Sequence, residues 1–442
     1  MTTGPILSRL SYLAIPIIGS QALQMLYNLT DMFWLGRLGS AEVAAAGAAG
    51  LYMWMSVAFM LIGSIAASIG VSQAIGQGDR ERAKSIGGGA LCISLVLGLA
   101  FGLVMYVFRE QMTLFFDFAE QNVHNYTKDY LSVVACAIPL TFISATLAAI
   151  YVATGDSRTP FICNGIGTII NIILSPIFIF ILNMGMIGAA FGTIIAQAIA
   201  CMLFVLSFKK GKKRPFETMQ FFKLPQMGEL TWILKKALPV GAESLLFTFL
   251  VMVTSRREAY FGADAMAMSR VGSQIESLTW LVGGAFGTAL ISFVGQNFGA
   301  HKHGRVRQTF KTATFVMIAY GAFVAFLLAV PGKYIFGLFL PDPELIERSI
   351  LYLRILAICQ IPLCLEAVSS NMFRGMGKTM PPAIVNTSCN IIRVPLAYIL
   401  SAPFLGIGLP GVWMGISISA IIKGAWSYTW YYKHQRVSLD GE

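Results

Sequence analysis

The chain is long, apolar and weakly charged. Its 442 residues are 56% hydrophobic and 12% charged, with a mean hydropathy of +0.70, whereas a soluble domain usually carries about 25% charged residues. One buried core cannot absorb that much apolar surface, so the composition excludes an ordinary soluble protein. Apolar stretches of about 20 residues recur along the chain, as a bilayer core about 30 Å thick requires. We predict an all-α polytopic membrane protein with about twelve transmembrane helices.

The basic residues follow membrane topology better than nucleic-acid binding. The net charge is +11, but Lys and Arg lie in loops rather than on one patterned face. About 21 of the 32 fall in one alternating set of loops and about eight in the other, which sets orientation through the positive-inside rule. We therefore expect a multi-pass protein of a bacterial inner (plasma) membrane, with both termini cytoplasmic and no nucleic-acid partner.

The first predicted helix carries a polar stripe that lipid would not tolerate. Its members recur at helical spacing on one face: Ser20, Gln21, Gln24, Tyr27, Asn28 and Asp31. Asp31 is the only acidic residue placed well within the spans of the first half, and an ionisable group there indicates a functional site because burying its charge is costly. The alternative is that Asp31 lies at the outer helix end, where it caps the helix or pairs with Arg37. Pro16, early in this helix, permits bending and is a candidate gating residue.

A second polar stripe lies in the fifth predicted helix. Asn164, Thr168, Asn171 and Ser175 are spaced at i, i+4, i+7 and i+11, which again is one helical face. We expect the two stripes to face each other inside the first half of the chain.

A basic segment divides the chain. Lys209, Lys210, Lys212, Lys213 and Arg214 begin a connection that separates two groups of six predicted spans. The predicted organisation is a six-helix lobe over residues 1–208, a basic cytoplasmic linker over 209–229 and a second six-helix lobe over 230–442.

The two halves are related by an internal repeat. Four pairs are 223 positions apart: Pro16 and Pro239, Gly39 and Gly262, Gln73 and Gln296, and Arg82 and Arg305. The offset slips to 222 in the fifth helix of each half, as for Asn164 and Asn386. Six spans per half give corresponding helices the same orientation, so we predict two bundles related by a pseudo-twofold axis along the membrane normal. Secondary transporters bind substrates at such repeat interfaces.

The second half carries more charge inside its predicted spans. Charged residues inside membrane spans seldom face lipid. The charged residues of these spans and one polar neighbour are therefore candidates for a substrate cavity or a second ion site: Glu243, Arg270, Glu276, Glu366, Asn390 and Arg393. The alternative is a structural network in which the glutamates pair with Arg270 and Arg393. If the two arginines are unpaired instead, an anionic or zwitterionic substrate becomes more plausible than a cationic one.

One motif closes the second helix of each half. Val71-Ser-Gln-Ala-Ile-Gly-Gln-Gly-Asp-Arg-Glu-Arg82 matches Val294-Gly-Gln-Asn-Phe-Gly-Ala-His-Lys-His-Gly-Arg305. A Gln-x-x-Gly turn followed by a basic helix start, once per half, resembles the multidrug and toxic compound extrusion (MATE) family. The segments 31–39, 155–160 and 171–176 also match, and the resemblance covers nearly the whole chain.

The resemblance implies a cation-coupled efflux antiporter that works by alternating access, and not an enzyme. Relatives with this motif couple transport to protons or sodium through the matching first-helix aspartate, here Asp31. Many carry a second aspartate where this sequence has Ser175, so Asn28, Asn171 and Ser175 would supply neutral oxygens, and the choice between H⁺ and Na⁺ stays open. We expect a monomer without other cofactors or metals, exporting small cationic or zwitterionic organic compounds. The alternatives are a lipid-linked oligosaccharide or lipid flippase of the same superfamily and a passive channel, which would need no titrating carboxylate.

Overall fold

The computed structural model describes residues 1–116, 118, 120–210, 215–216, 225–330 and 343–438. Within these ranges every regular element is helical. The chain divides into two compact units, a first unit of residues 1–2 and 9–241 and a second unit of residues 3–8 and 242–442. Most of the predicted linker, residues 211–214 and 217–224, lies outside the described ranges.

The helices of the first half follow the predicted spans. In chain order they are α1 (Ile6–Leu38), α2 (Ser40–Gln77), α3 (Arg80–Val107), α4 (Arg109–Leu114), α5 (Gln121–Val134), α6 (Ile138–Thr154), α7 (Arg158–Pro176) and α8 (Gly185–Lys210). After Pro176, α7 continues as a π-helical turn over Ile177–Ile181. Proline lacks the N–H that an α-helix uses, and such local changes of helix type re-satisfy the backbone.

The second half repeats this sequence of long helices. They are α9 (Met227–Ala259), α10 (Ala263–Gly299), α11 (His303–Ala329), α12 (Pro343–Gly375), α13 (Met380–Leu400) and α14 (Leu409–Ser438), with a short 3-10 turn over Pro403–Leu405. The division between the two compact units falls inside α9, after Gly241. Residues 227–241 of α9 pack on α2 and α3, where Ile233 and Ala237 share a buried cluster with Ile62 and Ile93.

The helices are long and apolar enough to cross a bilayer. Ten described helices qualify singly, and the number rises to eleven when α5 and α6, bent by 49° between them, are counted as one span. The remaining long helix, α14, has 30 residues, more than the roughly 20 that a span needs. Large apolar side chains on these helices are exposed, such as Leu103 at 63%, Phe323 at 61% and Ile358 at 67%. Lipid is the solvent that such surfaces suit.

Glycines bring the last two long helices of each half close together. A Cβ at Gly192 on α8 would lie 2.9 Å from Ser175 Oγ on α7, and a Cβ at Gly188 would lie 2.7 Å from the Phe178 backbone. The repeat-related Gly411 and Gly415 on α14 meet the backbone of α13 in the same way. Small residues at helix contacts let membrane helices pack at backbone distance.

The paired sequence motif forms a helix-turn-helix junction in both halves. Gly78 ends α2 with φ of 79°, a left-handed conformation that glycine adopts at little cost. Asp79 then caps α3 by accepting a hydrogen bond from the Arg82 N–H at 2.9 Å. In the second half, His301 takes the left-handed position with φ of 55° between α10 and α11.

Candidate functional site

Asp31 is buried near the end of α1 and points toward α7. Its side chain is 9% exposed and lies near enough to Ser175 for the two to interact, but neither Asp31 Oδ1 nor Ser175 Oγ has a hydrogen-bond partner within 3.5 Å among the described residues. The alternative pairing with Arg37 is not observed, because the Arg37 guanidinium lies over the Phe33 ring instead, at 5.1 Å from its centre. Asp31 is thus a buried carboxylate without a fixed cation.

The surroundings of Asp31 are polar, neutral and short of partners. Asn171, one turn before Ser175 on α7, is 1% exposed, and neither atom of its amide has a hydrogen-bond partner in the described part. The close approach of Gly192 to Ser175 closes α8 over this region. Asn28, three residues before Asp31, is exposed rather than buried. Buried polar groups are normally paired, so this cluster stands out.

The two polar stripes share one recess in the first unit. It has a volume of about 30 Å³, room for one or two water molecules but not for a drug-sized compound. Tyr27 and Thr193 hydrogen bond through their hydroxyls at 2.9 Å beside it. The lining residues from α1, α7 and α8 are Gln24, Tyr27, Asn164, Gly167, Thr168, Ala196, Gln197 and Ala200.

Pro16 leaves a gap in the hydrogen bonding of α1 that α7 fills. Lacking an N–H, Pro16 cannot donate to the carbonyl of Tyr12 one turn earlier. Ser157, at the start of α7, donates its hydroxyl to that carbonyl at 3.3 Å, and the Arg158 guanidinium lies 4.9 Å from the centre of the Tyr12 ring. The proline break is therefore fixed to α7 in this structure. Its role in gating stays a prediction.

In the second unit Glu243 forms a half-buried ion pair that the sequence did not indicate. Arg374 donates to both carboxylate oxygens of Glu243, at 3.1 and 3.0 Å, and Asn386 donates to Oε1 at 2.7 Å. The alternative pairing of Glu243 with Arg393 is not observed among the described residues. Glu243 lies level with Asn386, and Arg393 is seven residues, or about 10 Å, further along α13.

The remaining acidic candidates have different surroundings. Glu366 is 6% exposed and accepts a hydrogen bond from Ser370 at 2.7 Å on the same helix. Glu276 on α10 faces Arg393 and Lys423, the two charges that act on it. Arg270 belongs to α10, but its side chain lies outside the described part. Of the alternative network, the described side chains show one element, the proximity of Glu276 to Arg393.

Three functional neighbours were missed from the sequence. They are Arg374, which contacts Glu243, Ser157, which bonds to Tyr12, and Lys423, which lies against Trp280. The repeat contained a signal for Lys423, because Ala200 lies 223 positions earlier and lines the first-half recess. No local pattern in the sequence indicates that Ser157 bonds to Tyr12.

Comparison with known families gives the same twofold division as the internal repeat. The sequence model of the MatE family matches residues 16–177 and again residues 239–399. The chain belongs to the MatE family. The two matches begin 223 positions apart and end 222 apart, which are the offsets found within the sequence. The MatE assignment confirms the predicted resemblance and makes the chain a multi-spanning membrane transporter.

Curated MatE relatives are bacterial proteins named for multidrug resistance or export. The chain is 26% identical over 420 residues to the probable multidrug resistance protein NorM of Thermotoga maritima, covering 93% of this chain and 89% of NorM. It is 25% identical to the probable multidrug resistance protein YpnP of Bacillus subtilis, covering 98% and 96%. Staphylococcus aureus multidrug export protein MepA is 23% identical, with 99% and 96% covered. None of these names favours the flippase alternative.

Solved structures share the whole fold. A MATE transporter in the straight conformation superposes with a TM-score of 0.92 at 21% identity, covering 99% of this chain and 98% of that one. A superfamily transporter from Pyrococcus furiosus, described as having a binding pocket of reversed polarity that suggests a different function, gives a TM-score of 0.91 at 22% identity, covering 99% and 97%. At these identities the likeness establishes the fold.

Proposed function

We propose that the protein is an efflux antiporter for small organic compounds, driven by protons or sodium, in which Asp31 is the coupling group. The observation that carries the proposal is the unsatisfied cluster formed by Asp31, Ser175 and Asn171 in the first unit. The multidrug names of its full-length relatives support export of organic compounds.

An incompletely bonded carboxylate is suited to exchange. A buried polar atom without a partner costs roughly 1–3 kcal/mol, and a proton or a small cation at Asp31 recovers that cost. The carboxylate, hydroxyl and amide oxygens of Asp31, Ser175 and Asn171 are the hard ligands that alkali and alkaline-earth cations prefer. A proton would neutralise Asp31 directly, because burial disfavours its charged form.

Coupling requires that the affinity of Asp31 for its ion differ between conformations. In this structure the recess between α1, α7 and α8 has a volume of about 30 Å³, which is too small for a substrate. A substrate therefore enters in another conformation. Opening the recess hydrates Asp31 and changes its affinity for the ion. Gln24, Tyr27 and Asn164, which line the recess, are the candidate substrate contacts in the first unit.

The remaining features follow from composition and family. We infer cationic or zwitterionic substrates, a monomer, a bacterial inner membrane and cytoplasmic termini. The asymmetric distribution of Lys and Arg between loops supports this orientation.

The deciding experiment is dye efflux from proteoliposomes under an imposed proton gradient and then under a sodium gradient. Wild type is compared with Asp31→Asn, which keeps the size and removes the charge. Asp79→Asn is the matched control, since Asp79 is exposed and asparagine caps a helix as well as aspartate. We expect Asp31→Asn to fall to the rate of empty liposomes under the coupling gradient, with the control at the wild-type rate.

The outcomes separate the alternatives. Gradient-driven efflux by Asp31→Asn at the wild-type rate would refute the coupling role. Wild-type efflux that follows the dye gradient alone, with no response to either ion, would indicate a passive channel. The gradient that drives wild type identifies the ion.

A further inference from the structure

The first-half recess has a counterpart in the second half, whose residues are found by adding the repeat offset to the residue numbers of the first half. The offset is 223 for helices α1 and α8 and 222 for α7. Neutral or small residues around the recess in the first half correspond to aromatic, amide, hydroxyl and cationic residues in the second. The pairs are Gln24 with Phe247, Thr168 with Asn390, Asn171 with Arg393, Ala196 with Ser419 and Ala200 with Lys423.

The second-half members of these pairs meet within the second unit. The Arg393 Nε donates to Ser419 Oγ at 3.4 Å, and its guanidinium carbon lies 5.7 Å from the centre of the Phe247 ring. The Lys423 ammonium lies 5.9 Å from the centre of the Trp280 ring. Helices α9, α10, α13 and α14 thus place two cations and two aromatic rings in one region.

Both cations are buried without a direct ion pair. Arg393 is 9% exposed and Lys423 is 5% exposed, and none of the ion pairs among the described residues includes either side chain. Glu276 faces both but lies beyond ion-pair distance, and Glu366 accepts its hydrogen bond from Ser370. Buried charges in membrane proteins are normally paired or functional.

A second, independent observation points to a ligand. Asn390 is 4% exposed, and its Oδ1 has no hydrogen-bond partner among the described residues. It lies three residues before Arg393 on α13, so the two side chains share one helical face. An acceptor beside two cations suits a compound that carries both an anionic group and a hydrogen-bond donor.

We propose that Arg393, Lys423, Ser419, Asn390, Phe247 and Trp280 form a substrate site for organic zwitterions, which we call the cationic site. The Arg393 guanidinium and the Lys423 ammonium bind the carboxylate or another anionic group of the substrate. The rings of Phe247 and Trp280 contact the apolar part of the substrate. The Glu276 carboxylate and Asn390 Oδ1 accept hydrogen bonds from an ammonium or hydroxyl group of the same compound. The inference rests on the proposed function and specifies its substrate class.

The test measures binding in the absence of any gradient, so its result is independent of coupling at Asp31. The probes are a rhodamine dye with a free carboxylate and the methyl ester of the same dye, titrated against the purified full-length protein in detergent by fluorescence polarisation. The variants are Arg393→Gln, Lys423→Gln and the charge-retaining Arg393→Lys. Arg257→Gln and Lys433→Gln are matched controls that remove one positive charge elsewhere in the second unit, and thermal unfolding verifies the fold of each variant.

We expect wild type to bind the free carboxylate dye more tightly than its ester. Arg393→Gln and Lys423→Gln should weaken binding of the carboxylate dye by about tenfold or more while the ester changes by less than about twofold, because a charge-assisted hydrogen bond is lost. Arg393→Lys should recover part of the loss. Equal binding of both dyes by wild type, an equal loss of both dyes in the variants, or an equal loss in the controls would each overturn the proposal.

Discussion

Asp31 in the first unit and Glu243 in the second are carboxylates on the first long helix of their half, the one buried and the other half-buried, and their bonding is opposite. Oδ1 of Asp31 has no hydrogen-bond partner in the described part, whereas both oxygens of Glu243 accept from Arg374 and one also accepts from Asn386. A carboxylate saturated by a fixed arginine has no capacity left for a mobile ion. Burial alone therefore does not distinguish the two carboxylates; the vacancy in the hydrogen bonding of Asp31 does, and the proposed coupling role rests on it.

The largest expected change in stability follows from removing the charge of Glu243 in its ion pair with Arg374. Glu243→Gln leaves the half-buried Arg374 guanidinium without its counter-charge, so we expect a loss of about 3 kcal/mol in the free energy of unfolding, the lower end of the range for a buried pair. Chemical unfolding in detergent measures it. Glu347→Gln, at an exposed position of α12, is the control and should change little.

A double substitution that removes both charges of the Glu243–Arg374 pair tests whether the loss in stability comes from the unpaired arginine. Replacing the pair by apolar groups, as in Glu243→Leu with Arg374→Met, should recover much of the stability, because neither charge then remains buried alone. If Glu243→Gln unfolds like wild type, Glu243 is not structurally saturated and the contrast with Asp31 disappears.

In the first unit, a substitution at Asn171 should increase the free energy of unfolding instead of lowering it. Asn171→Leu removes two buried amide atoms that have no partners, so the free energy of unfolding should rise by about 1–3 kcal/mol, while gradient-driven efflux falls. Asn297→Leu is the contrasting control, because the Asn297 amide donates to the Phe293 carbonyl at 2.8 Å, and its loss should destabilise. A destabilised Asn171→Leu would mean that Asn171 has a structural role.

A smaller effect concerns the junction between α1 and α7. Ser157→Ala removes the hydroxyl that bonds to the Tyr12 carbonyl, at an expected cost of about 1 kcal/mol. Pro16→Ala restores an N–H for the same carbonyl. In that background Ser157→Ala should therefore cost less, and a double-mutant cycle of unfolding free energies measures the coupling. Additive costs would contradict the link between Pro16 and Ser157.

The smallest effect lies outside the spans, on α4. Hydrogen bonds from His124 and Lys128 hold the pKa of Glu110 below its ordinary value. A lowered carboxyl pKa in the folded state stabilises the protein above the ordinary carboxyl pKa, and this contribution is lost as the pH falls through the folded-state pKa. The melting-temperature difference between wild type and Glu110→Gln should therefore shrink below about pH 4. A difference that does not change with pH would contradict this account.

Local patterns predicted most of the fold and part of the site. The twelve spans follow from hydropathy, and the junction at Gly78 and Asp79 follows from a motif, because both depend on neighbouring residues. The α1 stripe predicted the Asp31 cluster for the same reason. The partner of Glu243 could not be predicted, since it depends on the depth at which α9, α12 and α13 pass one another. Lys423 lies in the apolar part of α14 with no other charged residue within nine positions, and only alignment with Ala200 reveals its place.

The glycines that hold α7 against α8 and α13 against α14 also bear on how the protein evolves. Because backbone contact at Gly192 and Gly415 sets the distance between these helices, the polar residues beside them contribute little to the scaffold. Substitutions there change what each half binds without changing its architecture. Duplication of such a half therefore supplies a second interior that can acquire a different ligand chemistry while the first retains its own.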